Sequence, residues 1–347
     1  MAADLPDSGS ELPHYARDRF GKRYVLLEPG EPAAAGVRRI YALLLDDIVE
    51  NLPGVRQGAE GLYLHDFRVA TRRTRTALRQ LAGVHADDVV QRFADEFGWI
   101  AKASNDARDL EVFGESLARY REALGDETLA GLHAFLSFLR EHTAAQRTAC
   151  AAAASSERFD RLLADWRRFL DAGPEGPGTP PNATRPIREL ARERTRAAYD
   201  RVVKRGGAMH GGSSGYEFHR LRLQCKKLRY LLEFFRSLFD AQRGDDAVES
   251  LRAIQDDLGY LNDLRVQALW LLRFVDPALV SEDRTIVAAI EALPDGTPRA
   301  IRDTLGYVEH ERLAVRERFL QGFVRFIAPA QHTAFEGFLA SRAVAAQ

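Results

Sequence analysis

The sequence predicts an all-α protein built as a duplicated unit. Apolar residues recur at helical spacing along almost the whole chain. A run of histidine and basic residues occurs twice, and its two copies lie 154 residues apart. Between the copies, the segment GPEGPGTPP from Gly173 to Pro181 is the plainest break in the chain.

Residues 1–32 read as an irregular extension, with Pro6, Pro13, Pro29 and Pro32. Arg17, Arg19, Lys22 and Arg23 form a small basic cluster expected to be solvated, around a short strand from Tyr24 to Leu27. The first helical half is expected over residues 33–172. Val37, Ile40, Tyr41, Leu44, Leu45 and Ile48 make the apolar face of a first helix that ends near Pro53 and Gly54. A second helix is expected from about Ala59 to Leu81 and is closed by Gly83. A third, from about Asp87 to Leu124 with a bend near Gly98, carries SNDARDLEVF. A fourth runs from about Thr128 to Ala154 on the core positions Leu129, Leu132, Leu136 and Leu139, and a shorter helix covers Phe159 to Leu170.

Residues 173–182 are the linker, and the second half is expected over residues 183–345. Here the order recurs: a helix from Pro186 to about Val203, the glycine-rich KRGGAMHGGSSG, and a helix from His219 to about Phe239. A helical stretch over Leu251–Val266 follows, and three more helices over about 281–293, 298–326 and 330–345. Trp99, Trp166, Trp270 and most phenylalanines fall at core spacing.

The repeated run is HDFRVATRRTRTALRQL, from His65, and HRLRLQCKKLRYLLEFF, from His219. Each has a histidine, an arginine three residues on, a basic pair at seven and eight, and an arginine at ten. These are His65, Arg68, Arg72, Arg73 and Arg75, and His219, Arg222, Lys226, Lys227 and Arg229. On a helix, His65, Arg68, Arg72, Arg75 and Arg79 fall within an arc of roughly 80°, opposite Phe67, Ala70, Thr74, Ala77 and Leu78. Exposed helix faces usually alternate charge sign, because like charges four apart destabilise a helix. Asp66 is the one acid in the first copy, and none occurs from His219 to Tyr230. Two like-signed stripes at one spacing point to an anion.

The rest of the composition narrows the ligand. The chain has 347 residues and 46% hydrophobic content, enough for a sizeable core. Its 49 Lys and Arg balance 50 Asp and Glu, so basicity is local, which favours a defined anion site over general coating of nucleic acid or membrane. Cys150 and Cys225 alone make neither a disulfide framework nor a CxxC metal site. No run reaches the roughly 18 apolar residues of a membrane span, and no apolar signal core opens the chain, so a cytoplasmic protein is expected.

Together, LHDFRVATRRTRTAL with NDARDLEV and FHRLRLQCKKLRYLLEFF with IQDDLGYLNDLRV resemble the CHAD family, the conserved-histidine α-helical domain. The resemblance covers roughly residues 33–341. It implies two four-helix bundles related by a pseudo-two-fold, a central basic groove, binding of inorganic polyphosphate, and for some members a place on polyphosphate granules. Carried onto this chain, it puts His65, Arg68, Arg72, Arg73, Arg75 and Arg79 on one wall and His219, Arg222, Lys226, Lys227 and Arg229 on the other. Glu233 occupies the position of Arg79 in the second copy, so the walls differ there. The triphosphate-tunnel domain with its ExExK signature, to which the family is sometimes fused, has no counterpart here.

Polyphosphate carries about one negative charge per residue and no bases, so recognition rests on charge and oxygen geometry. Arginine forks grip phosphate oxygens bidentately, while lysines act as mobile point charges. Asp109 and Asp263 each follow their histidine by 44 residues and are expected to orient a histidine or a neighbouring arginine. The histidines serve as phosphate donors and bind better when charged, which predicts rising affinity toward pH 6. Metal ligation is disfavoured by the arginines around them and by the lack of HxxxH spacing. The reading is therefore non-catalytic polyphosphate binding, with no cofactor. The alternatives are a polyphosphate-processing enzyme, for which no GxxxxGK[ST] loop is present, and nucleic-acid binding through the same groove, for which Tyr230 is the one aromatic beside the basic residues.

Overall fold

In the computed structural model the described residues are 15–19, 21–59, 62–104, 113–114, 116–172, 180–281 and 285–342. Among them the chain is helical apart from one short antiparallel hairpin, β1 (Tyr15–Arg17) with β2 (Arg23–Val25). The helices are α1 (Ala33–Arg56), α2 (Leu62–Gln80), α3 (Asp87–Ala103), α4 (Leu117–Gly131), α5 (His133–Ala154) and α6 (Glu157–Asp171). The later ones are α7 (Ile187–Gly207), α8 (Gly215–Phe234), α9 (Ala241–Val275), α10 (Ile286–Glu291), α11 (Arg299–Phe326) and α12 (Pro329–Ala340).

The two expected halves begin alike. Pro32 and Pro186 each precede the first residue of a helix, where proline's fixed φ suits the turn and its missing N–H costs no helical bond. The two prolines face each other in an antiparallel bridge. Around them Ala33 N–H donates to the Arg185 carbonyl (2.8 Å) and Ile187 N–H to that of Glu31 (2.9 Å). One step out, Ala34 N–H donates to the Ala183 carbonyl (2.9 Å) and Arg188 N–H to that of Pro29 (3.3 Å). Residues 29, 31, 33 and 34 stand 154 before 183, 185, 187 and 188. Each segment thus gives the other the bonds it receives.

Helix α1 packs on α2, α2 on α3, α7 on α8, and α8 on α9. The long α9 and α11 pair with each other, and α4 packs on α11. One contiguous set of buried apolar side chains, from Val25 to Leu339, runs through both halves. Gly206 permits the closest of these approaches, because a Cβ there would stand 1.9 Å from the Phe323 ring of α11. Across the halves, Gln267 of α9 donates to Ser116 Oγ (2.7 Å) and accepts from the buried Tyr120 hydroxyl of α4. That network satisfies polar groups which burial would otherwise penalise.

Several boundaries differ from the sequence expectation. Helix α1 continues past Pro53 to Arg56, since Pro53 still accepts from Gln57 N–H (3.1 Å) and its own lost donor is a single bond. Helix α3 runs without interruption through Gly98 and stops at Ala103. The break falls later, at Gly125 within α4, whose φ of +82° is open mainly to glycine, and α5 starts at His133 rather than near Thr128. The stretch Leu251–Val266 is the middle of the 35-residue α9. The strand expected over Tyr24–Leu27 is Arg23–Val25, paired with Tyr15–Arg17.

The basic cluster near the start of the chain is exposed at Arg17, Arg19 and Lys22, as expected, and is also held by ion pairs. Arg23 pairs with Asp47 (2.5 Å) and Glu50 (2.6 Å) of α1, Lys22 with Glu233 of α8 (3.1 Å), and Arg19 with Glu249 of α9 (2.7 Å). Ser237 locks the strand end, accepting from Leu27 N–H and donating to the Val25 carbonyl, each at 2.9 Å. The hairpin therefore bridges α1 and α8.

Candidate functional site

Helices α2 and α8 carry the repeated motif and pack against each other. Their apolar faces fall where the periodicity put them. Phe67, Ala70, Thr74, Ala77 and Leu78 are buried on α2, and Leu221, Leu228, Leu231 and Leu232 on α8. A capping box fixes the start of α8: Glu217 N–H donates to Ser214 Oγ (3.2 Å), and Ser214 N–H to Glu217 Oε2 (2.6 Å). The cationic faces of the two helices are thereby turned toward a common seam.

At the centre of the seam Arg72 Nε donates to the hydroxyl of Tyr230 (2.9 Å). Tyr230 is buried, so its oxygen holds the guanidinium in one orientation. Lys226, 154 residues after Arg72, is half-buried beside it. Burial, together with the charges of Arg72, Arg222 and Arg229, lowers the Lys226 pKa to about 6, and Asp263 opposes the shift. Asp263 is thus electrostatically coupled to this lysine, while Asp109 lies outside the described residues.

Toward the start of each motif helix stand the histidines. His65 and His219 are both half-buried. His219 Nδ1 donates to Asn262 Oδ1 (3.3 Å), so the neighbour of Asp263 orients it. Burial lowers the His219 pKa, the Asn262 bond resists, and Arg222, Arg265 and Lys226 lower it further. Its charged form therefore belongs below the usual histidine range. Arg68 donates to the Ser104 carbonyl at the end of α3. Arg75 lies over Gly98 of α3, and burial and Arg79 lower its pKa against the pull of Asp95.

Arg73 is engaged within the protein rather than open at the seam. It is 8% exposed, lies over the Phe234 ring, and its guanidinium reaches Asp47 (3.7 Å) and Glu233 (3.5 Å). The helical wheel carries the signal, since Arg73 sits roughly 80° from His65 on the side away from Arg72 and Arg75. Arg229 shares Glu233 (3.5 Å) and lies over the Tyr230 ring. Lys227 stands differently: burial lowers its pKa, and Arg201, Arg79, Arg220 and Arg205 lower it further.

Arg201 and Arg205 lie outside the repeated stretches, while Arg220 and Arg265 lie inside them at positions where the first copy has the acids Asp66 and Glu111. The 154 offset holds part of the signal, because it pairs Asp47 with Arg201. Trp166 is a core residue, fully buried among Tyr41, Phe93 and Phe97. Among the described residues no group of three or more His, Cys, Asp or Glu side chains could hold a metal ion, and no helix is long and apolar enough to cross a membrane.

No match was found among the curated proteins compared. Among solved structures, the CHAD domain from the plant Ricinus communis superposes with a TM-score of 0.67 at 23% identity, covering 92% of this chain and 96% of that one. PptA from Streptomyces chartreusis superposes with a TM-score of 0.55 at 19% identity, covering 84% of this chain and 99% of that one. At these identities the likeness establishes the fold alone. The family model of the CHAD domain matches residues 39–272, a span that includes both motif helices and the seam between them, and the chain belongs to the CHAD family.

Proposed function

We propose that this protein binds inorganic polyphosphate, without turning it over, along the seam where α2 and α8 meet. The observation that carries the reading is the convergence of Arg72 and Lys226 in a half-buried setting, where burial first and the charges of Arg72, Arg222 and Arg229 after it lower the Lys226 pKa to about 6. Bringing such groups together costs electrostatic energy, and a multivalent anion offsets that cost. The family's association with polyphosphate agrees with this chemistry. A flexible polymer suits a seam with cations on both sides, because successive weak contacts on one chain reinforce each other through effective concentration.

The duplicated architecture is part of the proposal. The reciprocal hydrogen bonds around Pro32 and Pro186, each displaced by 154 residues, support two helical bundles related by a pseudo-two-fold. Arg72 and Lys226 are equivalent under that displacement and would flank the axis. In this reading a central groove receives the polymer from both halves, and recruitment to polyphosphate granules follows from binding alone.

The test is titration with long-chain polyphosphate, single-stranded DNA and ATP at fixed salt, for wild type and for Arg72→Glu/Lys226→Glu. Tight polyphosphate binding that the folded double variant loses is the expected result. Equal affinity for DNA, or binding untouched in the variant, sinks the proposal. Phosphate release in the presence of Mg²⁺ or Mn²⁺ would point instead to a polyphosphate-processing enzyme.

A further inference from the structure

We infer that Arg79, Arg201 and Lys227 form an anion subsite on one side only of the α2–α8 seam, which takes the phosphoryl groups of a polyphosphate chain that continues beyond it. The inference rests on the polyphosphate reading of the seam and adds a direction to it.

The argument starts from Arg73, whose guanidinium lies between Asp47 of α1 (3.7 Å) and Glu233 of α8 (3.5 Å). Displacing these three positions by 154 residues gives Arg201 for Asp47, Lys227 for Arg73, and Arg79 for Glu233. The same framework positions are thus used twice with opposite chemistry. On the first side two carboxylates flank a cation. On the second both carboxylates are replaced by arginines.

The two sides also differ in what covers them. The hairpin completes the first: Arg23 reaches Asp47 (2.5 Å) and Lys22 reaches Glu233 (3.1 Å), so each cation there has a carboxylate partner. On the second side Arg201 donates to Gln80 Oε1 (3.4 Å), which holds α7 against the end of α2 next to Arg79. Arg79 and Arg201 are exposed and Lys227 is half-buried. Among the described residues none of the three is in a salt bridge, and Arg205 and Arg220 add positive charge behind them. Glu217 is near Arg205, but its carboxylate is held by Ser214 in the capping box. A mere solvated patch does not call for both acids of an ion-paired triad to be inverted at once.

A chain lying in the seam therefore meets further cations toward Arg79 and Arg201, and a neutralised, covered face toward Arg73 and Glu233. Short oligophosphates that fill the seam do not reach the subsite. Arg79→Glu/Arg201→Asp rebuilds around Lys227 the two acids that flank Arg73. With long-chain polyphosphate this variant is expected to bind about tenfold or more weakly and with a shallower salt dependence. With tripolyphosphate it should change by less than about twofold. Arg79→Gln/Arg201→Gln, which removes charge without adding acids, should show the same order with a smaller loss. Circular dichroism checks that both variants stay folded.

Unchanged long-chain affinity in both variants overturns the subsite, and so does an equal loss for long and short chains. The control is Arg72→Glu/Lys226→Glu. If that pair abolishes binding while the Arg79 and Arg201 variants bind normally, the subsite alone fails. If wild type binds no polyphosphate, the reading of the seam fails and the subsite with it.

Discussion

Arg72 Nε donates to the Tyr230 hydroxyl at 2.9 Å, linking two helices whose motifs stand 154 residues apart. The bond fixes a guanidinium that would otherwise swing freely, and it does so without neutralising it. Tyr230→Phe keeps the buried ring and removes the acceptor. The variant should lose about 0.5–1.5 kcal/mol of stability in urea denaturation. It should also bind polyphosphate several-fold more weakly, because Arg72 must then be ordered on binding. Unchanged affinity would mean that Arg72 is not positioned by Tyr230.

Lys226 makes binding pH-dependent. Burial and Arg72, Arg222 and Arg229 lower its folded pKa to about 6, from an ordinary 10.5. Because the folded pKa is depressed, the unfolded chain holds the extra proton between about pH 6 and 10.5, so this group makes the free protein more stable as pH rises through that window. A bound polyanion favours the charged amine. Binding at pH 7.5 should therefore take up a proton, and affinity should rise from pH 8 to 6. His219, lowered by burial and by Arg222, Arg265 and Lys226, acts in the same direction below its usual range. Calorimetry in buffers of different ionisation enthalpy measures the uptake, and Lys226→Arg should remove most of it.

Asp263 opposes the lowering of the Lys226 pKa. Asp263→Asn should therefore weaken polyphosphate binding at pH 7.5 and move the rise in affinity to lower pH. Asp109→Ala is expected to weaken binding as well. Titration of each variant across pH 6–8 reads both effects, and unchanged affinity and stability in both would remove the orienting role from these acids.

Arg73 and Glu233 should separate stability from binding. Burial raises the Glu233 pKa, but Arg73, Lys22 and Arg229 outweigh it and the net shift is downward from 4.5. A depressed folded pKa contributes stability above about pH 4.5 that is lost as pH falls through the folded value. Glu233→Gln should therefore lower stability at pH 7 and flatten its fall in acid, as followed by thermal melts from pH 7 to 3. Arg73→Gln should likewise destabilise the fold and leave polyphosphate affinity near wild type, in contrast to Arg72→Gln.

Gly206→Val tests the packing of α7 on α11. A Cβ at this position meets the Phe323 ring at 1.9 Å, and rings in a close-packed core cannot retreat that far without loss. Destabilisation of about 1–3 kcal/mol is expected in urea denaturation.

The sequence by itself determined the helices, their buried faces and the repeated cationic stripe. Spacing along a helix is a local property: Phe67, Ala70 and Ala77, or Leu221, Leu228 and Leu231, need no knowledge of the rest of the chain to define an inner side. The offset of 154 residues likewise paired Arg72 with Lys226 before any contact was known. The helix ends were less legible, because Gly98 and Gly125 look alike in sequence and only the backbone decides which adopts positive φ. Charge pairing was beyond the sequence altogether. Arg73 and Lys227 occupy equivalent places in the motif, yet one is neutralised by Asp47 and Glu233 and the other is crowded by Arg79 and Arg201. Such partners come from helices far apart in the chain, and Coulomb interactions act through space over a few ångströms. Only the tertiary structure decides which charges stand that close.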